Sequence, residues 1–279
     1  MNFFSESLTL KETTFTLLRD AIHEKLGMYF EADRRDILAD KLSPLVIERG
    51  FDSFLDYYYL LKYDAEAEEE WLRVMEALSV QETYFFREMD QIRALATTIV
   101  PSLLSQQCAL PITIWSAACA TGEEPLTIAI TLKEAGLLDE RIRILASDAS
   151  QAAIDKAKAG IYRERSLRNT SAEMRSRYFS QTPKGWQIDA AIHQRIEWHR
   201  INLMDARQVA PLARTHLLFC RNVFIYFSPD SIRKTVEMFF DNMRIPGYLF
   251  VAAAESLLKI TTAFKLREIG GAFVYVKEP

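Results

Sequence analysis

The residues best suited to chemistry gather in IWSAACATGEEPLTIAI, where an apolar run gives way to small residues and then to a helix-like run. Ala118, Ala120 and Gly122 would let a ligand approach the backbone closely. The helix start that follows offers free backbone N–H groups. The spacing is A-x-A-x-G rather than the G-x-G-x-x-G of dinucleotide loops, so a nucleoside ligand competes with plain close packing of strand on helix. Asp148 closes the next apolar run, ILASDAS, 26 residues after Gly122. An acid at that strand end can accept both ribose hydroxyls. The alternative, an N-cap for QAAIDKAKAG, can be met by Ser150 instead, so the ribose role is favoured.

Glu123 and Glu124 open the helix after the loop. They either complement the helix dipole or bind the ammonium of a methionine moiety. Such a zwitterion also needs a cation for its carboxylate, and Arg87 in QETYFFRE is a candidate because guanidinium grips carboxylates bidentately. If that segment is helical, Thr83 and Arg87 lie one turn apart on one face. Phe85 and Phe86 then read as core. A third cluster is LLFCRNVFIYF, where a buried strand ends at Arg221-Asn222 and apolar residues lead to Tyr226. Asn202-Leu203 occupies the equivalent place after EWHRI. Ligands of open α/β sheets bind outside the carboxyl ends of strands. Arg221, in so apolar a setting, is expected to be paired. Cys220 reads as core, and His193 and His199 as structural, since neither has a metal-site neighbour at the right spacing.

The elements that would position these groups fall into two regions. Within 1–90, Phe15, Leu18, Ile22 and Leu26 recur at helical spacing, and Gly27 is a plausible stop. A second helix through DRRDILADKL kinks or restarts at Pro44. Asp52 or Ser53 caps a third through FLDYYYLLK. A fourth carries Trp71, Val74, Met75 and Leu78, after an acidic run at Glu66, Glu68, Glu69 and Glu70 that reads as a solvated helix start. From about 110, PITIWSAAC, RIRILASDA, HLLFCRN and YLFVAAAES read as buried strands alternating with helices, which implies a mainly parallel sheet covered on both faces. The stretch YFSQTPKGWQIDAAIHQRIEW admits a helix through Ile188, Ile192 and Ile196 or a hairpin turning at Lys184-Gly185. A small β insertion near 178–198 is favoured.

Composition bounds the rest. The chain has 279 residues, 49% hydrophobic and 26% charged, which suits a globular protein with a sizeable core. No apolar run reaches transmembrane length and no signal peptide is expected. Cys108, Cys119 and Cys220 are too few for a disulfide framework, which fits a reducing cytoplasm. Charge is uneven: 1–90 nets −10 and 91–279 nets +6. That asymmetry suggests different partners for two domains, while no nucleic-acid footprint stands out.

Taken in order, QETYFFRE, WSAACATGEEPLTIAI, ASDAS with GIY, INL, FCRNVFIYF and PGYLFVAAAES resemble the chemotaxis-receptor (CheR-type) protein-glutamate O-methyltransferase family over nearly the whole chain. The resemblance implies a class I, Rossmann-like S-adenosylmethionine-dependent methyltransferase fold of the α/β class. A small β-subdomain is inserted in it, and an all-α N-terminal domain precedes it. It implies a helical, receptor-binding domain over 1–90 and a methyltransferase domain over 91–279. The cofactor would be S-adenosylmethionine, leaving as S-adenosylhomocysteine, with no metal. Its contacts would fall on Gln81, Thr83, Arg87, Ala118, Glu123, Asp148, Asn202, Leu203, Arg221 and Asn222, with Tyr226 and Arg221 on the reacting side. The partner would be the cytoplasmic domain of a methyl-accepting receptor, met by a monomer without membrane insertion or nucleic acid.

Two features depart from the family pattern. Gln81 stands where the family usually has Asn, and the acidic N-terminal region offers only Arg34, Arg35, Lys41 and Arg49 near the helix expected to meet an acidic receptor. The stretch from Lys156 to Arg177, with seven cations, is a second candidate surface, or else an ordinary solvated helix and loop. Against a nitrogen-methylating enzyme, Arg221-Asn222-Val223-Phe224 replaces the Asp/Asn-Pro-Pro-aromatic run. Against a non-catalytic module, Gly122, Glu123 and Asp148 are all present.

Overall fold

The computed structural model describes residues 8–106 and 110–278, so Cys108 lies outside the described residues. The chain divides into two compact units, Met1–Val80 with Tyr226–Ile232, and Gln81–Ile225 with Arg233–Pro279. The boundary therefore falls at Val80–Gln81 rather than near residue 90. The reason is local bonding. Phe85 N–H donates to Ser166 O at 2.9 Å and Phe86 N–H to Thr127 Oγ1 at 3.1 Å, which ties 81–88 to the second unit.

The first unit contains α1 (Glu12–Leu26), α2 (Arg35–Glu48), α3 (Phe54–Tyr63) and α4 (Ala67–Leu78). The apolar stripes read from the sequence are its core: Phe15, Leu18, Ile22, Trp71, Val74 and Leu78 are all buried. Gly27 ends α1 at φ 75°, a conformation that favours glycine. Ser53 caps α3 by accepting from Asp56 N–H. The second helix does not restart at Pro44: it runs through the proline to Glu48, with Leu42, Leu45 and Val46 buried on either side of it. That packing outweighs a proline cost of about 3 kcal/mol. The acidic run is solvated only in part: Glu70 is fully buried, accepting from Tyr57 Oη at 2.7 Å and Arg49 Nε at 2.7 Å. The segment 226–232 belongs with these helices, through a bridge between Met28 and Phe227 and a 2.7 Å contact of His23 Nε2 with Ser228 Oγ.

The second unit begins with α5 (Met89–Ala94), a π-turn over Leu95–Ile99 and α6 (Val100–Ser105). Strands β1 (Ile112–Ala117) and β2 (Ile142–Asp148) flank α7 (Glu123–Glu134), and α8 (Gln151–Ala159) follows β2. Next come β3 (Ile161–Tyr162), α9 (Ala172–Tyr178), β4 (Phe179–Thr182), β5 (Gly185–Ile188), α10 (Ala190–His193) and β6 (Ile196–Arg200). The remainder is α11 (Ala206–Ala213), β7 (Leu217–Cys220), α12 (Pro229–Asn242, of which 229–232 fall in the first unit), β8 (Gly247–Phe250), β9 (Lys265–Ile269) and β10 (Ala272–Lys277). The large sheet has seven strands in the order β6-β2-β1-β7-β8-β10-β9. It is parallel from β6 to β8, with β10 antiparallel to both its neighbours. This is the α/β, class I methyltransferase arrangement that the motif order implied.

Residues of β1 are buried throughout, and so are those of β7, which is why both read as unbroken apolar runs. A β insertion exists, but its limits differ from 178–198. The three-stranded sheet β3-β5-β4 draws one strand from 161–162, and β6 pairs with β2 in the large sheet instead. The turn at Pro183-Lys184 joins β4 to β5, with Gly185 already paired to Thr182, whereas Ile192 lies on the short α10. Among the described residues, no helix is long and apolar enough to cross a membrane.

Candidate active site

The chain runs β1, β2, β6 towards one edge and then returns to place β7 on the other side of β1. Crevices at such reversals, outside the strand carboxyl ends, are where open α/β sheets hold ligands. The segment 118–122, Asp148, Asn202 and Arg221-Asn222 all follow or end strands at that edge.

The loop after β1 turns on left-handed residues: Ala118 at φ 53°, Ala120 at φ 48° and Gly122 at φ 94°. Alanine tolerates this region poorly, so its repeated use marks a loop held by its surroundings. Asp148 does much of the holding. Its Oδ2 accepts from Ala120 N–H at 2.9 Å and its Oδ1 from Ser150 N–H at 2.9 Å. Ser150 caps α8 by accepting from Ala153 N–H, so Asp148 is not needed for the cap. The close-packing alternative also holds at Gly122. A Cβ there would stand 2.7 Å from Trp198 Cη2 and 3.0 Å from Ala157 Cβ.

Glu123 and Glu124 have separate surroundings. Glu123 is buried and accepts from Thr121 Oγ1 at 2.6 Å, and burial pushes its carboxyl above the usual range. Glu124 is also pushed up by burial, with Arg221 pulling back, and it accepts from Ser116 Oγ at 2.7 Å. Arg221 is indeed paired. Nη1 reaches Glu124 Oε2 at 3.2 Å, and Nη2 reaches Glu88 Oε2 at 3.1 Å and the carbonyls of Arg87 and Glu88. Its Nε is buried without a hydrogen-bond partner. So much commitment makes Arg221 a brace between α7 and the 81–88 segment.

That segment is not helical, contrary to the helical option. It is irregular, with a turn at Phe85-Phe86, and Phe86 and Glu88 take φ 60° and 47°. Its geometry comes from long-range bonds rather than helical periodicity. Phe85 is fully buried, edge-on to Tyr162 and Phe179, while Phe86 is half-buried. Arg87 is half-buried and donates to Glu82 O at 3.0 Å. Gln81 donates to Ser150 Oγ at 3.1 Å and accepts from Lys156 Nζ at 3.1 Å, so its amide sits beside the Asp148 turn. Thr83 is half-buried in the same stretch.

At the other strand ends, Asn202 Oδ1 accepts from Met204 N–H at 3.0 Å, and Leu203 is buried. Asn222 is left-handed at φ 61°. Tyr226 is half-buried, and its carbonyl accepts from Tyr29 N–H within the helical unit. Cys220 and Cys119 are buried, and burial pushes both thiols up, so neither is a nucleophile at neutral pH. His193 contacts Ala157 O at 2.9 Å, a structural role. Among the described residues, no three His, Cys, Asp or Glu side chains gather as a metal site would require.

Several residues that matter were not singled out from the sequence. Glu255 accepts from three backbone N–H groups, those of Asn222, Ala252 and Ile225. Glu88 pairs with Arg221 across 133 positions. Tyr162 Oη donates to Thr121 O, joining the small sheet to the loop. Alternation and spacing carry no signal for such bonds. The candidate basic surface is largely self-paired: Arg165 and Arg168 meet Glu82, Arg175 meets Glu164, and Arg177 meets Glu134 and Glu173. In the helical unit, Arg49 meets Glu66 and Glu70, and Lys41 donates to Ala77 O.

With this geometry in hand, comparison with known proteins identifies both units. Residues 13–79 match the family described as the CheR methyltransferase all-alpha domain, and 81–272 match the CheR methyltransferase SAM binding domain. Chemotaxis protein methyltransferase 2 of Vibrio cholerae is 32% identical over 97% of this chain and 94% of its own. Chemotaxis protein methyltransferase 1 of Pseudomonas aeruginosa is 28% identical over 94% and 96%. The corresponding protein of Vibrio anguillarum is 30% identical over 96% and 98%.

Proposed function

Because the chain belongs to the CheR methyltransferase family and carries its S-adenosylmethionine-binding domain, we propose that it methylates glutamate side chains on the cytoplasmic domain of a chemotaxis or related signalling receptor. The observation that carries the reading is the loop after β1, braced by Asp148 and facing the strand ends at the sheet's reversal. Bound S-adenosylmethionine supplies an activated methyl group. This chain's residues must bind, orient and exclude water.

Asp148, at the end of β2 beside the loop, would accept the ribose hydroxyls. Ala118 presents backbone rather than side chain to the ligand. Glu123 would meet the ammonium of the methionine end, and Arg87 with Thr83 and Gln81 would meet its carboxylate side. Asn202, Leu203 and Asn222 would line the remaining contact. The Arg221 guanidinium, already held by Glu88 and Glu124, shapes the site rather than gripping an acceptor. An acceptor glutamate is ionised at neutral pH and needs no general base, so alignment supplies most of the acceleration. Tyr226 would orient that carboxylate through its hydroxyl, an uncharged contact that serves the neutral ester product equally well. The helical unit would meet the receptor, in the cytoplasm.

The test is transfer of labelled methyl from S-adenosylmethionine to a panel of receptor cytoplasmic domains, run beside calorimetric cofactor binding. Cofactor binding with transfer to at least one receptor domain is expected. Binding without transfer to any of them overturns the receptor assignment. An unchanged rate in Tyr226→Phe would remove Tyr226 from the acceptor side.

A further inference from the structure

Glu255 lies after β8, near the end of PGYLFVAAAES, and is 5% exposed. Its carboxylate reaches across to the loop after β7. Oε2 accepts from Asn222 N–H at 2.8 Å and from Ala252 N–H at 2.9 Å, while Oε1 accepts from Ile225 N–H at 3.3 Å. Asn222 sits at φ 61°, a conformation that costs an L-residue energy unless its surroundings impose it. A carboxylate receiving several N–H bonds is a strong restraint, because charge-assisted bonds are about twice as strong as neutral ones.

We propose that Glu255 is a positioning residue that aims the Asn222 side chain at the cofactor by holding its backbone left-handed. The proposal rests on the reading of Asn222 as a cofactor contact. Glu255 touches neither cofactor nor acceptor in this role. It acts through the β7 loop, and Ala252 N–H on the same oxygen locks the β8 loop to it. A glutamine at 255 would keep one acceptor oxygen but turn an NH₂ group towards one of the backbone donors. The restraint on Asn222 would loosen.

The experiment is a double-mutant cycle read by calorimetric binding of S-adenosylhomocysteine to the full chain, with Glu255→Gln, Asn222→Gly and the pair. Glycine removes the amide while accepting the left-handed φ. Each single variant is expected to weaken binding about tenfold, and the pair no more than about twofold beyond Asn222→Gly alone. A merely structural Glu255 would give additive losses, which overturns the proposal. An unaltered affinity in Glu255→Gln, with Asn222→Gly weakened, overturns it while leaving the Asn222 contact intact. An unaltered affinity in Asn222→Gly removes that contact and the proposal together. Should Glu255→Gln fail to fold, Glu255→Asp keeps the charge on a shorter arm and enters the same cycle with the same criterion.

Discussion

Single residues carry two separable burdens, holding the protein's own backbone and presenting atoms to a ligand. Asp148 does the first visibly, accepting from the backbone N–H groups of Ala120 and Ser150. Removing it in Asp148→Ala should lower S-adenosylhomocysteine affinity about 100-fold or more, since two hydrogen bonds to a charged group at about 1.5–3 kcal/mol each are lost. Calorimetry checks this, and less than a threefold change would exclude the ribose role. His216 bears only the first burden. Its Nδ1 accepts from Thr113 N–H at 3.2 Å, and burial pushes its imidazole down to about 4. The unfolded chain, near 6.5, binds the proton more readily, so this contribution is complete above pH 6.5 and is lost as pH falls towards 4. Denaturant titrations of the parent and His216→Asn should diverge over that window, the parent losing up to about 3 kcal/mol more. Parallel pH dependence in the two would contradict the assignment.

Elements were legible in the sequence where their signal is local. The four N-terminal helices and the strands of the parallel sheet follow from periodicity and buried runs. The loop and Asp148 were legible because both lie within one strand-loop-helix-strand unit. The 81–88 segment was not, because bonds to Ser166, Thr127 and Arg221 set its path and two of its residues take positive φ. The bond from Asn222 to Glu255, a residue inside PGYLFVAAAES, was not legible for a similar reason, the two being 33 positions apart. The limits of the small sheet were misplaced because β3 has two residues, too few for any alternation to register. Gly122 shows how tightly the loop element is built, with φ 94° and Trp198 against its Cα face. Gly122→Ala should therefore destabilise the chain by at least about 2 kcal/mol through backbone strain and overpacking. A chemical denaturation midpoint indistinguishable from that of the parent would show that the loop relaxes freely.

At the scale of the whole molecule, charge sets how partners meet. Residues 1–90 net −10 while 91–279 net +6, and several of the available cations already serve internal acids. Repulsion between an acidic helical unit and an acidic receptor domain should be relieved by salt. The apparent KM for the receptor should fall as ionic strength rises from about 10 mM to about 150 mM. A KM that climbs over that range would point to a cationic docking surface instead. The proposed acceptor of the methyl group is a glutamate carboxylate. The direct measurement is to incubate the full chain with methyl-labelled S-adenosylmethionine and a receptor cytoplasmic domain, then treat the labelled receptor with mild alkali. Release of the label as methanol, with the labelled peptides mapping to glutamate, is the predicted result. Label that survives alkali, or that maps to nitrogen-bearing side chains, would contradict it.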